Sequence, residues 1–231
     1  MKIPLTKYGL PQVAAFPVMI ILAMAVLWFA GSQDIITQTE LRVIEIVLFV
    51  LLVWVLAFFR DPHRDCPADG GIFLSPADGK ISDVEIVDHP AFPDGRATRI
   101  GIFLSIFNVH INRMPCAAVV DKIEYKEGQF KNALDPESAR VNESNDIELT
   151  CQNEPKDKII VRQISGAIAR RIVCDAAPGQ NFSGGQRFGM IKFGSRTELY
   201  LPCRPDILIL AQVGDDVHAG LSVLAEYAQN D

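Results

Sequence analysis

Apolar positions along this chain fall into two textures. Near the N-terminus they run together: residues 13–30, VAAFPVMIILAMAVLWFA, carry no charge, and residues 43–59, VIEIVLFVLLVWVLAFF, carry only Glu45. Uninterrupted runs of this kind predict helices for a bilayer. At about 1.5 Å per residue each reaches about 25–27 Å, against a hydrocarbon core of about 30 Å. A spanning hairpin and a re-entrant one are both compatible with those lengths. The linker between them, GSQDIITQTELR, is short and predicts antiparallel neighbours.

Past Arg60 the texture changes. Pro62, Pro67, Gly70 and Gly71 make a linker, and short alternating runs follow at 71–75, 80–87, 98–105, 119–125, 146–152, 158–163, 167–174, 190–201 and 207–212. Short strands at such spacing, punctuated by Gly and Pro, predict a mainly β body, sandwich- or barrel-like. Only 130–140 looks helical, and Asp135-Pro136 interrupts it. The segment Ala211-Gln-Val-Gly-Asp-Asp-Val-His-Ala-Gly resembles the closing turn of lipoyl- or biotinyl-type hybrid barrels, with Gly214-Asp215 as an ordinary hairpin-turn pair. The expected organisation is a membrane-anchoring helical hairpin over 1–62 and a β-rich domain over 63–231.

Charge sets the orientation. Lys2 and Lys7 precede the hairpin, Arg60 and Arg64 follow it, and the linker holds Asp34, Glu40 and Arg42. By the positive-inside rule both ends, and with them the body, face the cytoplasm at the cell membrane. A signal peptide would use the same Lys2 and Lys7 with a weak site at Ala30-Gly31-Ser32, but the second apolar run argues against export. The net charge of −6 lies wholly in the body, because the charges of the first 59 residues cancel. An acidic body gives no support for nucleic-acid binding. Five cysteines, none spaced C-x-x-C, fit neither a disulfide framework nor a zinc site and read as buried free thiols. Four dispersed histidines supply no metal-ligand pair, and no metal is expected.

Candidate chemistry centres on Phe193-Gly194-Ser195-Arg196. A glycine in a strand usually marks a bulge or a close approach, and Asp78 in Ala-Asp-Gly is by itself a turn former. His110 lies in an alternating run that places it with Asn108 and Asn112 on the polar face. Together, four segments resemble the phosphatidylserine decarboxylase family in its short bacterial form: Leu74-Ser-Pro-Ala-Asp-Gly-Lys-Ile81, the stretch Gly101 to Pro115, the stretch Gly128 to Asp135 leading to Asn142-Glu143, and the Gly194-Ser195 site. They cover residues 60–220 in order.

The resemblance implies a proenzyme that cuts itself between Gly194 and Ser195. Ser195 is the nucleophile and becomes a covalent pyruvoyl group, which forms a Schiff base with the amine of phosphatidylserine and releases phosphatidylethanolamine. It implies His110 as a base and Asp78 as the carboxylate orienting it. The products are a β chain, 1–194, and an α chain, 195–231, held together as a heterodimer, with further homo-oligomerisation left open. Longer relatives carry a second histidine where this chain has Arg113. Arg113, with Asn112, is therefore a candidate for binding substrate carboxylate or phosphate through its planar fork. A related serine-bearing lipid, such as an archaeal ether lipid, is an alternative substrate. Lys192, in Met190-Ile-Lys192, supports a rival reading as a biotin or lipoyl carrier, which requires it at an exposed hairpin tip. A membrane-tethered scaffold is the remaining alternative.

Overall fold

The two apolar runs fold as helices longer than the runs themselves. In the computed structural model, which describes residues 4–67, 70–131, 135, 137–166, 171–192 and 195–228, the chain divides into two units, Met1–His63 and Arg64–Asp231. The first contains α1 (Leu10–Ser32) and α2 (Gln38–Phe58). Pro11 lies in the first turn of α1, where no helical N–H is lost. Thr37 starts α2 with a capping box: its hydroxyl accepts from Glu40 N–H, and the Glu40 carboxylate accepts from Thr37 N–H. These caps lie outside the apolar runs, so the helices gain a turn or more from polar flanks. At 23 and 21 residues they are about 34 and 31 Å long, enough to cross a membrane. At the turn a Cβ on Gly31 would come 2.5 Å from Leu41 Cδ2, so a larger residue there would make the Leu41 side chain shift. At the open end Thr6 N–H donates to Phe59 O (2.9 Å) and Asp61 N–H to Pro4 O (2.7 Å), which laces both ends of the hairpin together.

The second unit is mainly β. Its strands are β1 (Ile72–Leu74), β2 (Gly79–Asp88), β3 (Arg96–Leu104), β4 (Ile111–Arg113), β5 (Ala118–Lys126), β6 (Ser144–Cys151) and β7 (Lys158–Ile164), then β8 (Ile172–Cys174), β9 (Asn181–Phe182), β10 (Arg187–Ile191), β11 (Ser195–Pro202), β12 (Ile207–Ile209), β13 (Asp216–Val217) and β14 (Val223–Tyr227). Eight form one sheet in the order β13-β2-β3-β11-β7-β6-β5-β9, and two three-stranded sheets, β1-β14-β12 and β4-β10-β8, complete the unit. The apolar core contains Phe73, Ile102, Leu104, Phe188, Leu199 and Leu201.

Three expectations change. The helical 130–140 stretch yields only one turn, α3 (Ser138–Val141), among its described residues. The alternating run 190–201 is two strands: β10 pairs with β4 and β8, and β11 pairs with β3 and β7. The chain changes sheets between Ile191 and Ser195. The cysteines are all free, but only Cys151 is buried and the other four are half-buried.

Candidate active site

β11 is central, and all eight of its positions are buried. Alternation sorts its side chains. Ser195, Thr197, Leu199 and Leu201 share one face, which runs from the apolar core at Leu199 and Leu201 to a polar end at Ser195. Arg196, Glu198 and Tyr200 share the other.

Ser195 is the first residue of β11 and pairs with Leu104 at the end of β3. It is fully buried, and its hydroxyl has no hydrogen-bond partner among the described residues. A buried orphan hydroxyl costs about 1–3 kcal/mol, which calls for an explanation in chemistry rather than in packing. Gly194, the other half of the expected scissile bond, lies outside the described residues, as does Phe193.

The backbone brings His110 to the same place. The chain leaves Leu104, opposite Ser195, makes a turn, and returns so that His110 O accepts from Ile191 N–H (3.2 Å). Leu104 and His110, the two ends of the turn, thus lie beside Ser195 and Ile191 respectively. His110 is fully buried, although its polar-face position predicted exposure, because β10 pairs along the strand that follows it. Its Nδ1 lies 2.9 Å from Asn108 O. A carbonyl can only accept, so this contact places the proton on Nδ1 and leaves Nε2 as the basic nitrogen.

A buried amide network fixes β4 against β11. Asn112 Nδ2 donates to Thr197 Oγ1 (3.2 Å) and Pro76 O (3.3 Å), and its Oδ1 accepts from Gln163 Nε2 (2.9 Å). Asn145 Nδ2 donates to Gln163 Oε1 (3.1 Å). Asn112 is therefore engaged on both its amide nitrogen and its amide oxygen by the protein's own groups. Thr197, Gln163 and Asn145 were not singled out from sequence. Their only signal was polarity at the inward positions of alternating runs.

The contacts of Asp78 among the described residues run to other groups than His110. Its carboxylate takes a two-pronged contact from Arg64, Nη1–Oδ1 2.6 Å and Nη2–Oδ2 2.8 Å, and accepts from Ala219 N–H (2.8 Å). The imidazole within ion-pair range is that of His218, Nδ1–Oδ2 3.7 Å. The guanidinium fork matches a carboxylate better than one imidazole N–H can. Asp78 lies just before β2, and Arg64 arrives from the chain that follows the hairpin. Arg113 is buried, with Nη1 donating to Gly185 O (3.0 Å). Lys192 is also buried, and its backbone N–H donates to Arg171 O (3.3 Å). Burial, followed by the Arg171 charge, holds its ammonium below the usual lysine range. A lysine so enclosed does not meet the exposed-tip requirement of a carrier.

The opposite face of β11 is ionic. Arg196 donates to Glu198 Oε1 (2.8 Å), Asp83 Oδ1 (2.9 Å) and Ser82 Oγ (2.7 Å), and Tyr200 Oη donates to Glu198 Oε2 (2.5 Å). Burial, with the Glu198 carboxylate next, pushes the Tyr200 phenol far up, so it remains a donor. Among the described residues no group of three His, Cys, Asp or Glu could hold a metal ion.

Fold and site define a β-rich protein with two membrane-length helices and a buried serine and imidazole where the chain passes from one sheet to another. A family model described as phosphatidylserine decarboxylase matches residues 51–225. The chain is 41% identical to the phosphatidylserine decarboxylase proenzyme of Rhodopirellula baltica over 99% of its own length and 90% of that protein. It is 37% identical to the proenzyme of the same name from Desulfotalea psychrophila, covering 97% of each chain. For the Symbiobacterium thermophilum proenzyme the identity is 38%, over 97% of this chain and 96% of the relative. The chain belongs to the phosphatidylserine decarboxylase family.

Proposed function

We propose that this chain cuts itself between Gly194 and Ser195 and, once processed, decarboxylates phosphatidylserine to phosphatidylethanolamine on the cytoplasmic face of the cell membrane. The observation that carries the reading is the buried Ser195 hydroxyl at the start of β11, which has no hydrogen-bond partner among the described residues. Ser195 Oγ attacks the Gly194 carbonyl carbon, giving up its proton to a base. The peptide nitrogen departs as the free amine of residue 195, and an ester remains. His110 suits the base role, since Asn108 O holds the proton on Nδ1 and the basic lone pair on Nε2. Loss of the residue-195 α-proton then breaks the Cβ–Oγ bond and expels the Gly194 carboxylate. The resulting dehydroalanine takes up water and releases ammonia, leaving a pyruvoyl carbonyl.

That carbonyl supplies an electron sink for the amine of the substrate. Around it the chain's own residues bind and exclude water. Arg113 carries a cationic fork suited to carboxylate or phosphate, the amide network holds β4 in place, and burial keeps the site dry. Asp78 acts at one remove by holding Arg64 and the Ala219 backbone. The chains 1–194 and 195–231 stay associated as a heterodimer.

Denaturing mass spectrometry of the purified protein tests this. The expected result is two chains that split before residue 195, the smaller blocked by a pyruvoyl group, with one uncut and inactive chain for Ser195→Ala. Decarboxylation of phosphatidylserine by Ser195→Ala would overturn the reading.

A further inference from the structure

The segment between Leu104 and His110 has a composition that turns in water avoid. Asn108 N–H donates to Ser105 O (3.0 Å) and closes a four-residue turn whose two central positions are Ile106 and Phe107. Gly, Asn, Asp and Pro usually fill such positions. Here Phe107 is 71% exposed, while Val109, two residues on, is buried. The turn is also braced. Asn108 Oδ1 accepts from both Ser105 N–H (2.8 Å) and Ser105 Oγ–H (2.7 Å), so the turn that carries the exposed ring is fixed at both ends.

Two facts say what meets that ring. The turn runs from Leu104, the partner of Ser195, to His110, so it stands beside the candidate active site. Its end of the eight-stranded sheet is also the end held by the membrane tether. Arg64 is fixed to Asp78, and Asp78 precedes Gly79 of β2, where a Cβ would come 2.1 Å from Phe103 O of β3. Only residues 59–63 separate the end of α2 from Arg64, at most about 20–22 Å of extended chain. A bilayer holding α1 and α2 is therefore within reach of this sheet end.

We propose that the Ser105–Asn108 turn is a bilayer-contacting wedge, with Phe107 and Ile106 seated among headgroups and upper acyl chains beside the candidate active site. An aromatic ring is suited to that interfacial layer. The proposal rests on the lipid-decarboxylase reading for its purpose but not for its test. Asn108 joins the two functions: its side chain braces the wedge, and its carbonyl holds the His110 proton. Lipid contact is thereby one residue from the group that sets the base.

The test uses the full chain with Trp28→Phe and Trp54→Phe, so that a Trp introduced by Phe107→Trp is the only one. The protein is reconstituted in vesicles whose lipids are brominated near the top of the acyl chains. Emission from residue 107 should shift to the blue and lose most of its intensity relative to unbrominated vesicles. Ile86→Trp in the same background, at the far half of β2 and 62% exposed, should keep a water-like, unquenched spectrum. Unquenched emission from residue 107 would overturn the proposal, whether water or a second copy of the chain surrounds it. Adding Ser195→Ala leaves the expected quenching intact, so a failure of the self-cleavage reading is seen separately.

Discussion

Burying amides inside a β core is tolerable only when each finds a partner, since an orphaned one costs about 1–3 kcal/mol. Asn112, Gln163, Asn145 and Thr197 satisfy one another, and Gln163 is the hub. Gln163→Leu keeps roughly the volume but orphans Asn112 Oδ1 and removes the acceptor of Asn145. Made in the uncut Ser195→Ala background, it should lower the calorimetric Tm by several degrees, about 2–4 °C for each kcal/mol in a domain of this size. In the processing-competent chain it should also slow cutting, because β4 carries His110 to its place. Motifs singled out Ser195 and His110 as candidates, yet sequence could not show this network. An alternating strand with polar residues on one face reads as half-solvated, and here a second sheet, β4-β10-β8, covers that face at the site. For the same reason His110, on the polar face of its run, is found out of water.

β11 works as an element with two faces. One carries the core and the candidate nucleophile, and the other carries Arg196, Glu198 and Tyr200. Burying such charges is costly, but removing one partner is worse, because the other is left uncompensated at about 3–5 kcal/mol. Burial alone would raise the Asp83 carboxyl, yet the Ser82 hydroxyl and the Arg196 and Arg99 guanidinium groups bring it below the ordinary aspartate value. A carboxyl depressed by folding stabilises fully above its unfolded value of about 4 and loses that contribution as pH falls through the lower folded value. Scans of Tm against pH should therefore show a steeper acid loss for the Ser195→Ala chain than for the same chain with Asp83→Asn, whose Tm is lower at neutral pH. Most strands were legible from alternation, but the break in 190–201 was not. Apolar and polar positions keep their rhythm straight across it, so only pairing partners reveal that two sheets share the run.

At the scale of the molecule, charge near the membrane has two jobs. Arg60 was read as a flanking charge, and its guanidinium donates to Ala57 O at the end of α2. Arg64 was read the same way but is buried against Asp78. No residue count could separate the two, since Asp78 lies across a linker and a strand. Arg64→Met should destabilise the body by about 3–5 kcal/mol, and Arg64→Met with Asp78→Leu should recover part of that loss in denaturant titrations of the uncut chain. The position of β11 has a further consequence. A cut before Ser195 would leave residues 195–231 supplying the middle of the large sheet as well as β12, β13 and β14. The fragment is woven through its partner, so the two pieces can part only if the fold is dismantled. On that reading the uncut chain would be its own template, and the processed enzyme an heirloom of that one folding event. Diluted from denaturant, the uncut Ser195→Ala chain should regain its native circular dichroism, whereas the mature pair should recover far less.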